Sequence, residues 1–444
     1  MRMEKSGEKA TLNRKIISMT VPTVLSNVSV PLLGLCDTAV AGHMGDERYL
    51  AGMAIGSVMM STIYWLFNFL RAGTSGLTAT YFGAADREGM GRSLGNSLAL
   101  AVAIGCILMA VHHPVLDLLQ RLMVATSEVS DLSGRYFSIC ILGALPMMTM
   151  TALTGWFIGM QSTATAMAVN IGMSILNVAA TLILVYCAGL GYDGIAMGTV
   201  ASQWLIMIPA LLLACRICRK NGISYESCKR IIMDRAGWRK MLSVNSNLFF
   251  RSACLIALTL MLYSYSARLG DVEVSSNAVI NQMFLFFSYF MDGFAFTGEA
   301  LIGRYSGADD IRMLHLSVTG LLRWTAVITA MFVVVYSLAL SSVTGLLSDS
   351  AAVSECVREC RIWVSLLPAA GAGAFIFDGF YIGMTRTRPM LVSTLCGVLL
   401  FALLLHLLSH SQWILWMSFT SYLALRSLIL AAMFPYKILK QKIS

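Results

Sequence analysis

The chain has 444 residues, of which 57% are hydrophobic and only 12% charged, with a formal net charge of +9 at pH 7. That charge content is about half of what soluble globular domains carry, and apolar runs recur from end to end, so a water-soluble fold is excluded. The runs also lack period-two alternation, which excludes a membrane barrel and leaves helices as the only structure lipid tolerates.

A stretch of about 18 apolar residues crosses a bilayer as a helix. Broken at charged or Gly/Asn/Asp-rich points, the sequence predicts twelve spans, near residues 16–42, 50–80, 94–116, 136–158, 164–188, 194–216, 241–266, 276–302, 314–346, 362–384, 390–409 and 412–434. The expected fold class is therefore an all-α polytopic membrane protein with twelve transmembrane helices. The polar N-terminus runs straight into a full-length span, so no cleavable signal is expected.

The first span contains Val30-Pro31-Leu32-Leu33-Gly34-Leu35-Cys36-Asp37-Thr38-Ala39-Val40. A carboxylate in hydrocarbon costs at least a few kcal/mol and survives where it faces a bundle interior or a watery cavity, usually on an ion or substrate route. If the helix ends near Met44, Asp37 lies roughly 10 Å from its outer end. Asp37 is the only acid well inside a span in the first half of the chain. Burial disfavours a carboxylate's charge, which suits such a group to loading and unloading a proton. The plainer alternative is a carboxylate capping backbone freed by Pro31, six residues earlier.

Further along, Arg71 stands inside the second span in Leu70-Arg71-Ala72-Gly73-Thr74. The sixth span ends in Cys215-x-x-Cys218, with Cys228 beyond; no His completes a zinc set, so ordinary thiols are expected. In the second half, Asp292 and Glu299 are seven apart and share one helix face, and Asp378 stands in Phe377-Asp378-Gly379-Phe380. These acids are either a second titrating set or partners of the in-span Arg251 and Arg323, since an intramembrane Arg needs a partner. Cys356 and Cys360 have a helical spacing that points to packing rather than a bridge. Twenty-nine Met and runs such as Phe284-Leu285-Phe286-Phe287 suit an adaptable apolar lining, although lipid-facing filler is the better reading for any one of them. The six His show no metal spacing.

Absences narrow the function. No Gly-x-x-x-x-Gly-Lys-Ser/Thr loop exists, and Gly371-Ala372-Gly373 has no strand before it, so neither an ATP-binding loop nor a dinucleotide site is present. No run of regularly spaced Arg suggests a voltage sensor. Of the 32 Lys and Arg, 22 fall on the side of both termini, 6 on the other and 4 within spans. The positive-inside rule then puts both termini in the cytoplasm, and the charge needs no nucleic-acid partner.

The chain also repeats itself. Tyr81-Phe82-Gly83-Ala84-Ala85-Asp86 answers Tyr305-Ser306-Gly307-Ala308-Asp309-Asp310, 224 residues later. Gly45-Asp46 answers Gly270-Asp271, and Phe157-Ile158-Gly159-Met160 answers Tyr381-Ile382-Gly383-Met384. An offset across six spans makes parallel repeats, the arrangement of transporters whose substrate site lies between two lobes. The expected division is an N-terminal lobe over 1–216, a basic cytoplasmic linker over 217–240 and a C-terminal lobe over 241–444.

Taken together, Val21-Pro22, Pro31 to Ala39, Leu70 to Ala79, Met291-Asp292-Gly293-Phe294-Ala295, Glu299 to Gly303, Phe377-Asp378-Gly379 and Ile382-Gly383 resemble the multidrug and toxic compound extrusion (MATE) family, in its DNA-damage-inducible F (DinF-like) branch. The resemblance implies two pseudo-symmetric six-helix lobes around a V-shaped cavity, and export of amphipathic or cationic compounds against inward H⁺ or Na⁺. It implies Asp37 as the N-lobe proton or cation site, Pro22 as the point where helix 1 bends, and Asn177 and Thr199 as partners on helices 5 and 6. Many relatives place an aspartate four residues after that asparagine; here Thr181 stands there. One carboxylate is lost, which favours H⁺ over Na⁺, although Na⁺ bound through Asp37, Asn177, Thr181 and Thr199 stays open.

The expectation is a secondary antiporter of a bacterial inner membrane, a monomer acting on small molecules in a lipid bilayer, with no cofactor beyond its coupling ion. The alternative is a flippase for a lipid-linked saccharide, which needs a strongly basic cavity and has only Arg71, Arg251, Arg323 and Arg426 to build one. An enzyme is not expected, because Asp309-Asp310 leads into Ile311-Arg312-Met313 rather than a prenyl-diphosphate motif and no nucleophile–base pair stands out.

Overall fold

The computed structural model describes residues 2–44, 46–122, 126–224, 226, 235–408 and 410–435, the side chains of 2–7, 30–33, 35, 122 and 235–236 excepted. Gly45, Cys228, Lys229, Arg230, Lys437, Lys440 and Lys442, and the side chains of Arg2, Lys5, Pro31 and Arg235, lie outside that description.

Every regular element among the described residues is a helix. Before the linker come α1 (Arg2–Gly42), α2 (Glu47–Leu66), α3 (Phe69–Gly83), α4 (Arg87–Ala110), α5 (His112–Leu122), α6 (Ser127–Cys140), α7 (Ala144–Gly159), α8 (Thr163–Leu182) and α9 (Tyr192–Lys220). After it come α10 (Arg235–Ala267), α11 (Asp271–Gly307), α12 (Ile311–Leu338), α13 (Leu340–Leu347), α14 (Ala351–Glu359), α15 (Arg361–Gly383), α16 (Arg388–Leu407) and α17 (Gln412–Met433). Eleven stretches are long and apolar enough to cross a membrane, with α2–α3 and α6–α7 each counting once. They coincide with the second to twelfth expected spans. The first expected span lies within α1, which is not among the eleven. Within that span the side chains at 30–33 and 35 lie outside the described residues, among which the eleven are counted.

Helix starts follow capping chemistry. Asp86 accepts from Gly89 N at 2.8 Å to open α4, and Asp310 accepts from Met313 N at 2.9 Å to open α12. Each satisfies a donor that the first turn would leave orphaned. These caps are 224 residues apart, and the same offset recurs elsewhere. Ala85 and Asp309 both carry positive φ (55° and 53°), as do Gln161 and Thr385 (62° and 55°). Gly155 lets α7 meet the Arg71 carbonyl of α3, and Gly379 lets α15 meet the Ala295 carbonyl of α11. A Cβ at either glycine would collide with that oxygen. The duplication is thus a property of the backbone, not only of a few short sequence matches.

The helices form two compact units, one of residues 25–242 and one of residues 1–24 with 243–444. The dividing point falls within α1, whereas the sequence reading counted all of helix 1 with the first lobe. Specific contacts hold the early part of α1 to the C-terminal unit. Thr20 and Thr297 hydroxyls are 2.9 Å apart, Gly293 makes room for Val24 and Thr20, and Glu8 pairs with Arg312. In the other unit, Asn170 of α8 donates to Ser26 of α1 at 3.1 Å. Outward-facing Ile107, Leu212, Leu399 and Leu428 are each more than half exposed, a surface suited to lipid and costly in water.

A polar cluster around Asp37 as candidate functional site

Helices α8 and α9 build the frame. Asn177 and Thr181 lie one turn apart on α8, 2% and 1% exposed. The Asn177 amide donates to Thr199 Oγ1 of α9 at 3.0 Å, and Thr199 donates back to the Ile195 carbonyl at 3.3 Å. Gly198 permits this closeness, because a Cβ there would stand 2.7 Å from the Thr181 Cα. Directly after Thr181 and Leu182, α8 widens into a π turn over Ile183–Cys187. Such turns arise where one residue is inserted into a helix, frequently beside functional sites.

Asp37 reaches this frame from α1, with the Thr181 hydroxyl beside its carboxyl. The helix ends at Gly42, so Asp37 lies about 7.5 Å from its end, closer than the sequence reading placed it. Tyr136 and Cys140, one turn apart on α6 and both buried, stand within electrostatic reach of Asp37. One turn beyond Thr199, the buried Gln203 lies against Gly143 and beside the Tyr64 hydroxyl.

The decisive feature is what these oxygens lack. No well-formed hydrogen bond reaches Asp37 Oδ1, Asn177 Oδ1, Thr181 Oγ1 or Gln203 Oε1, all buried, although the Thr181 hydroxyl lies beside Asp37 and the Tyr64 hydroxyl beside Gln203. Unsatisfied buried acceptors are costly and rare. Asp37 and Thr181 are adjacent, with Asn177 one turn from Thr181, and such a set of oxygens is able to receive a proton or a small hard cation. A single carboxylate supplies one negative charge. The residues that sequence reasoning missed here are Tyr64, Tyr136, Cys140 and Gln203. The one-turn spacings Thr199/Gln203 and Tyr136/Cys140 were visible in the sequence but indistinguishable from packing.

The remaining expected residues lie elsewhere. Pro22 stands within the continuous α1, fifteen residues before Asp37 and in the part of α1 that belongs to the other unit. Asp378 of α15 is locked between two cations: Arg251 of α10 and Arg426 of α17 both place Nη2 on its Oδ2, at 2.5 and 2.9 Å. Arg426 also donates to the Tyr422 hydroxyl at 3.0 Å. Arg251 was an expected partner; Arg426 was not, and the alternative, Arg323, is exposed on α12. Glu299, 1% exposed, lines the α11–α15 contact where its carbonyl faces Gly383. Asp292 lies beside Tyr289 on α11. Arg71 is half-buried on α3. Phe284, Phe286, Phe287, Phe290 and Phe332 pack edge-on or tilted against one another and against Phe375 and Phe419; Phe287 is fully buried whereas Phe286 stays exposed.

Two helical units built on one repeated backbone, with a carboxylate set among unsatisfied oxygens inside the bilayer, define a membrane transporter rather than an enzyme. The MatE family model matches the chain twice, over residues 22–183 and 248–408, one match per repeat, and the chain belongs to that family. It is 32% identical over 419 residues to DNA damage-inducible protein F of Escherichia coli, covering 93% of this chain and 90% of that protein. It is 21% identical over 271 residues to the probable multidrug resistance protein NorM of Bacillus cereus, covering 58% and 59% of the two chains. Among solved structures, a crystal structure of MATE in the bent conformation superposes with a TM-score of 0.84 over 97% of both chains at 18% identity.

Proposed function

We propose that this transporter exports amphipathic or cationic small molecules across a bacterial inner membrane, both termini in the cytoplasm, in exchange for inward protons, and that Asp37 is the coupling group. The observation that carries the reading is the unpartnered Asp37 carboxyl oxygen amid the unpartnered oxygens of Asn177 and Thr181. A deprotonated Asp37 favours the conformer that accepts substrate. A proton entering from outside neutralises it, α1 bends near Pro22, and the cavity releases its cargo. A ligand shifts two states only by its differential affinity, so proton and substrate must prefer different conformers. The driving force is adequate, since one charge crossing 100 mV supplies about 2.3 kcal/mol.

Protons are favoured over Na⁺ because Thr181 leaves Asp37 as the cluster's one carboxylate. The repeat supports a single coupling site as well. At an offset of 224, Asp37, Asn177, Thr181 and Thr199 correspond to Met261, Phe401, Leu405 and Leu423, all apolar. The test is dye export from proteoliposomes under an imposed pH or Na⁺ gradient, for the natural chain and for Asp37→Asn. Loss of pH-driven export in the variant is expected. Undiminished export, or thermal stabilisation by Na⁺ but not K⁺, goes against the assignment of group or ion respectively.

A further inference from the structure

The unit of residues 25–242 carries a cleft of about 490 Å³ where the end of α3, the start of α4 and the end of α9 meet. Its cations are Arg87, Arg219 and Lys220; Asn221 adds an amide, and Phe82 and Met90 give it an apolar wall. Among the described residues, none that lines it is acidic. Asp86 adjoins Arg87 in sequence but is committed to the α4 N-terminus through Gly89 N at 2.8 Å. Gly222 has φ +66°, and a Cβ there would stand 3.1 Å from Arg87 Nη1, so a glycine keeps the guanidinium's place open.

The repeat supplies an internal comparison. The C-terminal unit has a cleft of about 240 Å³ lined by Ser306, Asp309, Ile311 and Leu314, the residues 224 after Phe82, Ala85, Arg87 and Met90. The same backbone therefore makes a pocket twice. In the second copy Ala85 becomes Asp309 and Arg87 becomes Ile311, and the only lining cation is Arg386. The fold creates the hollow; only one copy fills it with positive charge. Three cations gathered from two helices at the ends of membrane-spanning helices suit the charge of a lipid phosphate. A wall of Phe82 and Met90 suits the glycerol and upper acyl region.

We infer that the Arg87/Arg219/Lys220 cleft binds the phosphate headgroup of an anionic phospholipid from the leaflet on the side of the termini. The cleft binds phosphatidylglycerol in preference to phosphatidylcholine, and its pseudo-symmetric counterpart does not.

The test uses the full chain in a neutral detergent. Native mass spectrometry measures binding of phosphatidylglycerol and of phosphatidylcholine with identical acyl chains, and inorganic phosphate serves as a separate competitor. The variants are Arg87→Gln alone, the triple change Arg87→Gln/Arg219→Gln/Lys220→Gln, and Arg386→Gln as the control in the other cleft. All four are exposed or at a helix end, and an unchanged melting point in phosphatidylcholine confirms folding. Each cation removed should weaken phosphatidylglycerol binding about fivefold and the triple change on the order of 100-fold, while Arg386→Gln changes nothing. Equal binding of the two lipids, or a triple variant that keeps its preference, overturns the proposal. Displacement of the lipid by millimolar phosphate alone reassigns the cleft to a free anion and overturns the lipid assignment.

Discussion

Thr181 decides more about Asp37 than any other neighbour. Its hydroxyl lies beside the carboxyl where a second carboxylate would double the negative charge. Oxygen-rich sites bind cations more tightly as ligand charge rises. Thr181→Asp is therefore expected to create Na⁺-dependent thermal stabilisation, about 2.7 kcal/mol once Na⁺ reaches a hundred times its dissociation constant. A melting curve in NaCl against KCl reads the difference. If the variant shows no Na⁺ effect, the cluster is not arranged to hold a cation at that position. A second residue, Lys15, gives a test through pH. It stands just before the first span, and burial, then the nearby Arg304, lowers its pKa from 10.5 to about 8. The unfolded chain thus binds more protons between pH 8 and 10.5, so this group makes stability rise with pH across that window. Lys15→Met should stabilise the protein at pH 7, with an advantage that shrinks as pH climbs from 8 to 10.5. A constant difference in melting temperature over that range would contradict the shift.

At the scale of elements, the approach of α7 to α3 and of α15 to α11 depends on Gly155 and Gly379, whose missing Cβ atoms make room for the Arg71 and Ala295 carbonyls. Neither neighbour is a flexible side-chain tip, so an added methyl must push whole helices apart. Gly155→Ala and Gly379→Ala should each cost about 1–3 kcal/mol as overpacked contacts, seen as a lowered melting temperature. Gly345→Ala, where nothing lies within 4 Å of the added carbon, should be near neutral. Equal effects at all three positions would mean the contacts do not limit packing. The span pattern was legible because apolar runs alternate with Asp86-like and Asp310-like caps and with basic breaks. Other features were not. The break at Phe67–Asn68 and the 3-10 turn at Ile141–Gly143 are marked only by a single Asn or Gly inside an apolar run, and the π turn at Ile183–Cys187 by no breaker residue at all. The pairing of Arg426 with Asp378 was hidden for a different reason. It joins α15 to α17, and only tertiary placement tells Arg426 from Arg323 as the partner. Asp37 stood out as the one acid well inside a span of the first half, whereas Asn177, Thr181 and Thr199 were found through a family resemblance; in spacing alone, Thr199 and Gln203 look like any polar pair on a helix.

At the scale of the whole molecule, one backbone plan carries two kinds of buried charge. The unit of residues 25–242 holds a carboxylate, Asp37, beside a hydroxyl and with no ion-pair partner among the described residues. The other unit holds Asp378 under two guanidiniums, and the position 224 residues earlier is Thr154. The two acids should therefore respond in opposite ways to the same change. Asp378→Asn leaves Arg251 and Arg426 buried without a counter-charge, and breaking a buried pair in this way costs about 3–5 kcal/mol. Asp37→Asn removes a buried charge that no cation neutralises and no donor satisfies at Oδ1, and the new amide can donate to the orphaned Thr181 or Asn177 oxygen. Its fold should be as stable as the natural protein or more so. Melting temperature and gradient-driven export, measured on both variants, then separate along different axes. Asp378→Asn should melt early but retain a pH response in whatever fraction stays folded, whereas Asp37→Asn should melt normally and lose that response. If Asp37→Asn instead melts as early as Asp378→Asn, its carboxylate is a structural anchor and coupling has to be sought among the acids of the other repeat.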